Sequence, residues 1–188
     1  MATKARARTA SGRGRSTALS KSQDAINLLM ADHKKVKQLF KKFAKAHESE
    51  DLETCREIVE TTCTELEIHT TIEEEIFYPA ARQVVKDQSL LDEAAVEHES
   101  AKQLIEEVKE LEPDDPKWAA AFTVLGEYVN HHIKEEEGQL FPQTKRGGLD
   151  AASVGEQIQQ RKTELQAQMA PEDEDQGEED ELEQSDED

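Results

Sequence analysis

Four amphipathic stretches of this sequence each carry a histidine inside their apolar stripe, and this pattern limits the folds that the chain can adopt. Apolar residues recur every three or four positions, the spacing of one helix face, and glycine, proline and capping residues separate the stretches. Helices are predicted from 20–24 to 47, from 52 to 85, from 89 to 111 and from 115 through 140, with a weaker fifth from 150 to 169. The four histidines are His33, His69, His98 and His132.

Long helices joined by short turns predict an all-α fold: an antiparallel up-down four-helix bundle with an extra C-terminal helix. We assign the bundle to residues 21–146 and the extra helix to 147–170. The flanking segments have opposite charges, since residues 1–20 hold five basic residues and no acid, whereas 171–188 hold twelve acids and no base. Both tails are predicted to be disordered. They leave −13 of the net charge of −20 on residues 21–170.

Two glutamates lie in line with these stripes. Glu73 and Glu136 each follow a histidine by four residues, which places each His and Glu pair on one helix face. The second stripe continues to Ile76 and Ala80, and the fourth ends at Gln139 beside a leucine. An unpaired buried carboxylate destabilises the folded protein by several kcal/mol. The two glutamates therefore need a partner, either a hydrogen bond across the bundle or a metal ion.

An internal repeat strengthens the metal interpretation. HKKVKQL at 33–39 matches HESAKQL at 98–104, and HTTIEEEIFYP at 69–79 matches HIKEEEGQLFP at 132–142. Each half thus supplies one His from its first helix and His-x-x-x-Glu from its second. No histidine has a glutamate three residues before it, which argues against the ferritin-like di-iron class. Zinc, which prefers a closed tetrahedral set, fits six N and O ligands less well.

These motifs resemble hemerythrin and the bacterial hemerythrin-like proteins with an HHE cation-binding domain. The resemblance covers about residues 24–145, including the Tyr-Pro and Phe-Pro pairs that end the two longer motifs. It implies two iron ions in a non-haem, oxo- or hydroxo-bridged centre, with manganese less favoured, and both glutamates bridging. The implied metal ligands are His33, His69, Glu73, His98, His132 and Glu136.

The sequence departs from the oxygen-carrying hemerythrins at two positions. Their third helix has a second His where this chain has Lys102, and their fourth helix uses a carboxylate five residues after its His, whereas the repeat here favours Glu136 over Glu137. The resemblance then implies open coordination positions. Off-stripe acids are predicted to be solvated, and Lys37 and Lys102 to reach water. These acids are Glu74, Glu75, Glu135 and Glu137.

Three functions remain open at the level of sequence. The favoured one is binding of dioxygen or a related small ligand, nitric oxide or peroxide, for storage, sensing or detoxification. The alternatives are a catalase-like enzyme that decomposes peroxide and an iron-dependent sensor or interaction protein. No separate catalytic residue is predicted.

Other partners are only weakly indicated. The basic arm at 1–20 could contact nucleic acid through phosphates, although it has no aromatic residue to read bases. No run of 18 apolar residues occurs, so no membrane span is predicted. Cys55 and Cys63 are eight residues apart on one predicted helix and cannot bridge each other. Two free thiols favour a cytoplasmic location.

Overall fold

The structure, a computed structural model, describes residues 24–169. The tails predicted at 1–20 and 171–188 lie outside the described residues. Within 24–169 every regular element is helical and no strand occurs, which confirms the all-α prediction. None of the helices in this part of the chain is long and apolar enough to cross a membrane.

The described residues form four long helical rods and one further helix. Two of the rods contain a π-helical turn, Glu73–Phe77 in the second rod and Glu136–Leu140 in the fourth. The α-helices are α1 (Ala25–Glu48), α2 (Leu52–Ile72), α3 (Tyr78–Arg82), α4 (Ser89–Glu110), α5 (Pro116–Glu135), α6 (Phe141–Gly147) and α7 (Ala151–Gln168). The second rod is therefore α2, its π turn and α3, and the fourth is α5, its π turn and α6.

Aspartate caps explain where most of these helices begin. The carboxylate of Asp24 accepts a hydrogen bond from a backbone N–H of α1, and Asp51, Asp115 and Asp150 do the same for α2, α5 and α7. Each such cap stabilises a helix by about 1 kcal/mol. The predicted start of the fourth helix, with Asp115 as cap and Pro116 in the first turn, is confirmed.

The rods contact one another in a closed ring: α1 with α2, α2 with α4, α4 with α5 and α5 with α1. Their interior holds two apolar clusters, one around Phe43 and Phe122 and the other around Phe77 and Phe141. The histidines lie between the two clusters along the rods. The fifth helix, α7, packs outside the ring against α1 and α2 and buries Ile158. Both cysteines are buried and free, as predicted.

The π turns correct the predicted stripes beyond the glutamates. Ile76 and Ala80 are only partly buried, whereas Phe77 and Ala81, one residue further on, are fully buried. A π turn holds about one residue more than an α turn, so the inward face moves on by one position. The fourth rod shifts in the same way and buries Phe141, whereas the predicted Gln139 is exposed.

Two glycines provide a test of the close packing at the end of the fourth rod. A Cβ at Gly147 would lie 2.3 Å from the carbonyl oxygen of Val84, whereas a Cβ at Gly138 would meet nothing within 4 Å. We expect Gly147→Ala to lower the free energy of unfolding by about 1–3 kcal/mol through overpacking. Gly138→Ala should be neutral or stabilising by up to about 1 kcal/mol. Urea denaturation followed by circular dichroism measures both, and equal stabilities would contradict the close approach.

Candidate metal centre

The structure brings all six predicted ligand side chains together between the two apolar clusters. Every one of them is buried, and the side chains of Glu73 and Glu136 are 0% and 2% exposed. The first and third rods each supply one histidine, and the second and fourth each supply a histidine and a glutamate. They are His33 from α1, His69 from α2, His98 from α4, His132 from α5, and the first residue of each π turn, Glu73 and Glu136.

These side chains form two overlapping groups. Ligand atoms of the first group lie within 4.8 Å of one another, and so do those of the second. Glu73 belongs to both groups. The first group consists of His33, His69, Glu73 and Glu136, and the second of Glu73, His98 and His132.

One oxygen of each glutamate lies between two imidazoles. Oε2 of Glu73 is 3.2 Å from Nε2 of His69 and 3.4 Å from Nε2 of His98. Oε2 of Glu136 approaches Nε2 of the other two histidines in the same way, at 3.2 and 3.5 Å. Each carboxylate thus contacts one histidine of its own half and one of the other half.

Several of these atoms make no hydrogen bond of acceptable geometry among the described residues, although Nε2 of His33 and Oε2 of Glu136 lie 3.2 Å apart. They include Nε2 of His33, Nε2 of His69, Oε1 of Glu73 and Oε2 of Glu136, all buried and facing the cluster. Leaving a buried polar atom unpaired costs about 1–3 kcal/mol. Imidazole nitrogen and carboxylate oxygen are ligands of iron, manganese and zinc. A metal ion therefore fits this donor set and satisfies atoms that the protein leaves without partners.

The outer ring nitrogens of two histidines contact acids that the sequence had indicated as solvated. Nδ1 of His33 is 3.0 Å from Oε1 of Glu137, and Nδ1 of His98 is 3.0 Å from Oε1 of Glu74. Both acids are about one-third exposed, so they reach water with one edge and an imidazole with the other. The prediction that these two are solvated is therefore incomplete, because each also contacts a histidine. A carboxylate on the outer nitrogen sets the tautomer and orientation of a ligating histidine.

Two further acids occupy the equivalent place on the remaining histidines. Nδ1 of His132 is 2.7 Å from Oε2 of Glu97, and Nδ1 of His69 is 3.7 Å from Oδ2 of Asp32, a distance longer than a hydrogen bond. Sequence reasoning missed both, because a residue directly before a ligand lies about 100° round the helix from it. The signal was in the repeat, where each half has an acid directly before its first histidine.

Lysines neutralise the outer acids. Nζ of Lys37 is 3.1 Å from Glu137, and Nζ of Lys102 is 2.7 Å from Glu74. Both lysines are partly exposed, as predicted, but each is also tied to the acid that contacts a histidine. Lys102, which stands where oxygen-carrying hemerythrins have another histidine, therefore turns away from the cluster.

The fifth helix, α7, is also attached to this outer layer. Its Lys162 forms an ion pair with Asp32, the acid beside His69. Its Arg161 contacts Glu75 in the π turn at 2.7 Å, so Glu75 is also paired rather than only solvated. The helix thus contacts the site through charged groups as well as through its apolar face.

Charges within the cluster are strongly coupled. Burial opposes the charged form of His98, yet the hydrogen bonds that its ring nitrogens donate to Glu73 and Glu74 raise the pKa of this imidazole to about 9. Burial would likewise raise the pKa of Glu136, but the neighbouring His132 and His33 lower it to about 2. Positive charge among the imidazoles therefore stabilises ionised carboxylates, and a cation placed between them has the same effect.

Tyr78 is a site residue that sequence reasoning did not identify. The side chain is 6% exposed, and its hydroxyl donates to Oε1 of Glu136 at 3.0 Å and lies 3.1 Å from Nε2 of His98. The repeat places Phe141 at the equivalent position, where its ring stacks on His33 with centroids 5.6 Å apart. The signal in the sequence is the difference between the Tyr-Pro and Phe-Pro pairs, because only the tyrosine ring carries an oxygen.

A small apolar cavity adjoins the imidazoles. Its volume is about 20 Å³, enough for roughly one water-sized molecule. Its lining includes four apolar side chains that each lie three residues from one of the histidines, Val36, Leu66, Ala101 and Val129. Ile133, Thr70, Glu97 and Tyr128 complete the lining beside the histidines.

Comparison with known proteins yields a family match and one relative. The family model for the hemerythrin HHE cation-binding domain matches residues 24–144. A DNA nickase from Nostoc sp. strain PCC 7120 is 30% identical over 151 residues, a match that covers 74% of this chain and 40% of the relative. The chain therefore spans about two-fifths of the length of that relative. No solved structure gives a significant match.

The outer carboxylates predict a difference between two neighbouring glutamates. Glu74→Gln removes the charge that orients His98, so we expect the affinity for iron(II) to fall by about 10–100-fold. Glu75→Gln is the matched control, because Glu75 pairs with Arg161 and contacts no histidine. Competition with a coloured chelator measures iron retention in both. An equal loss in the two variants would contradict a role for Glu74 in orienting the imidazole.

Proposed function

This chain belongs to the hemerythrin HHE cation-binding domain family, and on that premise we propose that its buried His and Glu cluster holds two iron ions and binds dioxygen, nitric oxide or peroxide. The observation that carries the proposal is the pair of buried glutamates, each lying between imidazoles from both halves of the repeat. Such a protein would serve in storage, sensing or detoxification of its ligand.

The grouping of the donors supports two ions. His33 and His69 would hold the first and His98 and His132 the second, with Glu73, a member of both groups, shared between them. Glu136 would be shared as well, since its Oε2 lies 3.2 Å from Nε2 of His33 and 3.5 Å from Nε2 of His132. When bound, iron supplies a redox-active centre that exchanges electrons with a small ligand. The chain holds the imidazoles at fixed angles through the acids on their outer nitrogens and excludes bulk water with the two apolar clusters.

The cavity beside the imidazoles supports a very small ligand. At about 20 Å³, space for roughly one water-sized molecule, and with a mainly apolar lining, it favours dioxygen, nitric oxide or hydrogen peroxide over larger substrates. Lys102 turns outward to Glu74, so it leaves free the coordination position that another histidine takes in oxygen-carrying hemerythrins.

The same opening favours a second candidate, a catalase-like enzyme that decomposes peroxide. A ligand bound for storage must leave unchanged, whereas a peroxide-decomposing centre must exchange its ligand many times. We favour binding, because the cavity lining offers no lysine and, apart from Glu97, the imidazoles and the phenol of Tyr128, no acid–base group.

The DNA-nicking activity in the name of the Nostoc relative is not proposed for this chain. A phosphodiester does not fit into a cavity of about 20 Å³, and the described site contacts no basic patch that would bind phosphates. A role as an iron-dependent sensor would use the charged tails at 1–20 and 171–188 and remains a proposal, as does a cytoplasmic location.

We further propose that residues 21–146 form an antiparallel up-down bundle, on which residues 147–170 pack as an additional helix. The closed ring of contacts among the rods and the short connection between α1 and α2 support this arrangement.

Metal analysis tests the number and identity of the ions. Purified protein reconstituted anaerobically with iron(II) should retain two irons per chain. Glu73→Ala should retain clearly fewer, because it removes a ligand of both ions, while Glu60→Ala, an exposed glutamate on the same helix, should retain two. A wild-type content clearly below two that Glu73→Ala leaves unchanged would contradict the proposal.

Ligand titration distinguishes binding from catalysis. Reduced protein titrated anaerobically with dioxygen, nitric oxide and peroxide should show a saturable change in visible absorption. Dioxygen should be released again under vacuum with the spectrum restored. Stopped-flow measurement of peroxide consumption is the companion experiment, and sustained turnover above that of free iron would favour the enzyme instead.

A further inference from the structure

The hydroxyl of Tyr78 lies inside the His and Glu cluster, although Tyr78 is not among the six proposed ligands. Resting on the proposed di-iron centre, we propose that the phenolate oxygen of Tyr78 is a further protein ligand of the ion held by His98 and His132. Tyrosine is a recognised iron ligand in proteins. The chain then has seven protein ligands, with the additional one on one ion only.

The spacing of the donor atoms carries this proposal. Oη of Tyr78 lies 3.0 Å from Oε1 of Glu136, 3.1 Å from Nε2 of His98 and 3.4 Å from Oε2 of Glu73, and Nε2 of His98 lies 3.1 Å from Nε2 of His132. Adjacent ligands on an ion with bonds of about 2.1 Å are about 3.0 Å apart, the edge of an octahedron. The phenol oxygen therefore has the spacing of a co-ligand to the imidazole of His98 and to both carboxylates.

Hydrogen bonds account for these contacts only while His98 keeps a proton on Nε2. The hydroxyl donates its one proton to Glu136, and in the absence of an ion Nε2 of His98 can donate a proton to the phenol oxygen. An ion on Nε2 of His98 takes the place of that proton and removes this hydrogen bond. The phenol oxygen, 3.1 Å from the nitrogen, then lies at the spacing of a second ligand of the same ion.

The π turn places the phenol on the ligand face. Tyr78 follows Glu73 by five residues, and in a continuous α-helix five residues correspond to about 140° of rotation, well off the inward face. The wider π turn reduces this rotation, so the tyrosine and the glutamate face the same centre. Phe141 reaches the equivalent place in the other half and carries no oxygen.

The two ions are therefore inequivalent. The ion beside His98 has five donor residues, whereas the ion beside His33 has four. With the phenol oxygen on the ion beside His98, the ion beside His33 keeps one more open position, on the side where Phe141 replaces the phenol.

The chain has only two tyrosines, which makes a direct test possible. Tyr128 is 42% exposed and makes none of these polar contacts with the cluster. In Tyr128→Phe, full-length and loaded with oxidised iron, Tyr78 is the remaining tyrosine. We expect a phenolate-to-iron(III) charge-transfer band in visible absorption and enhanced tyrosine ring modes in resonance Raman spectra, both shared with the wild type. Ring-deuterated tyrosine should shift those modes.

Tyr78→Phe should lose the band and the ring modes while retaining bound iron, with circular dichroism and thermal denaturation to confirm folding. If this variant does not fold, the spectra of Tyr128→Phe decide the question alone. Two irons per chain with no phenolate modes in Tyr128→Phe would overturn the tyrosine ligand and leave the di-iron proposal intact. A wild-type protein that binds no iron would overturn both, and the iron content distinguishes the two failures.

Discussion

Two carboxylates without access to water determine how the rest of the molecule is arranged. Glu73 and Glu136 are almost completely buried. Burying an uncompensated charge lowers the stability of the folded state by several kcal/mol. The protein compensates each with two imidazoles within 3.5 Å and leaves some of the inward-facing atoms without hydrogen bonds. The four rods, their contact ring and the two apolar clusters hold these groups at the distances that a cation requires.

Charge alternates outward from these glutamates. Each histidine contacts an inner glutamate with Nε2 and an outer acid with Nδ1, and three of the four outer acids meet a lysine at the protein surface. Every layer thus compensates the one inside it. The chain is strongly acidic overall, yet Lys37, Lys102 and Lys162 lie where they neutralise acids that contact the imidazoles. Lys162 extends this arrangement to α7, outside the residues that match the family.

Helical periodicity and the repeat predicted the helices and the convergence of the six donors, because residues four apart share one face. The register beyond each glutamate was not predictable in this way, since an apolar residue occurs both at Ile76 and at Phe77 and periodicity alone does not reveal a π turn. The contacts of Glu74 and Glu137 were missed because positions next to an apolar stripe are expected to face solvent. The Nδ1 atom of an imidazole points to the side of the stripe, where these acids lie. Tyr78 was missed for both reasons, the shift of register at the π turn and the neglect of positions beside the stripe.

The two π turns make the length of these segments as important as their composition. Removing one residue from either turn would rotate everything beyond it by about 100° and carry Phe77, Tyr78 and Ala81, or their counterparts, out of the interior together. A substitution alters one donor of this centre at a time, whereas deletion of a single residue would displace every inward-facing side chain beyond the π turn. Variation in this part of the chain is therefore constrained to substitutions, and insertions or deletions belong in the connections between the rods.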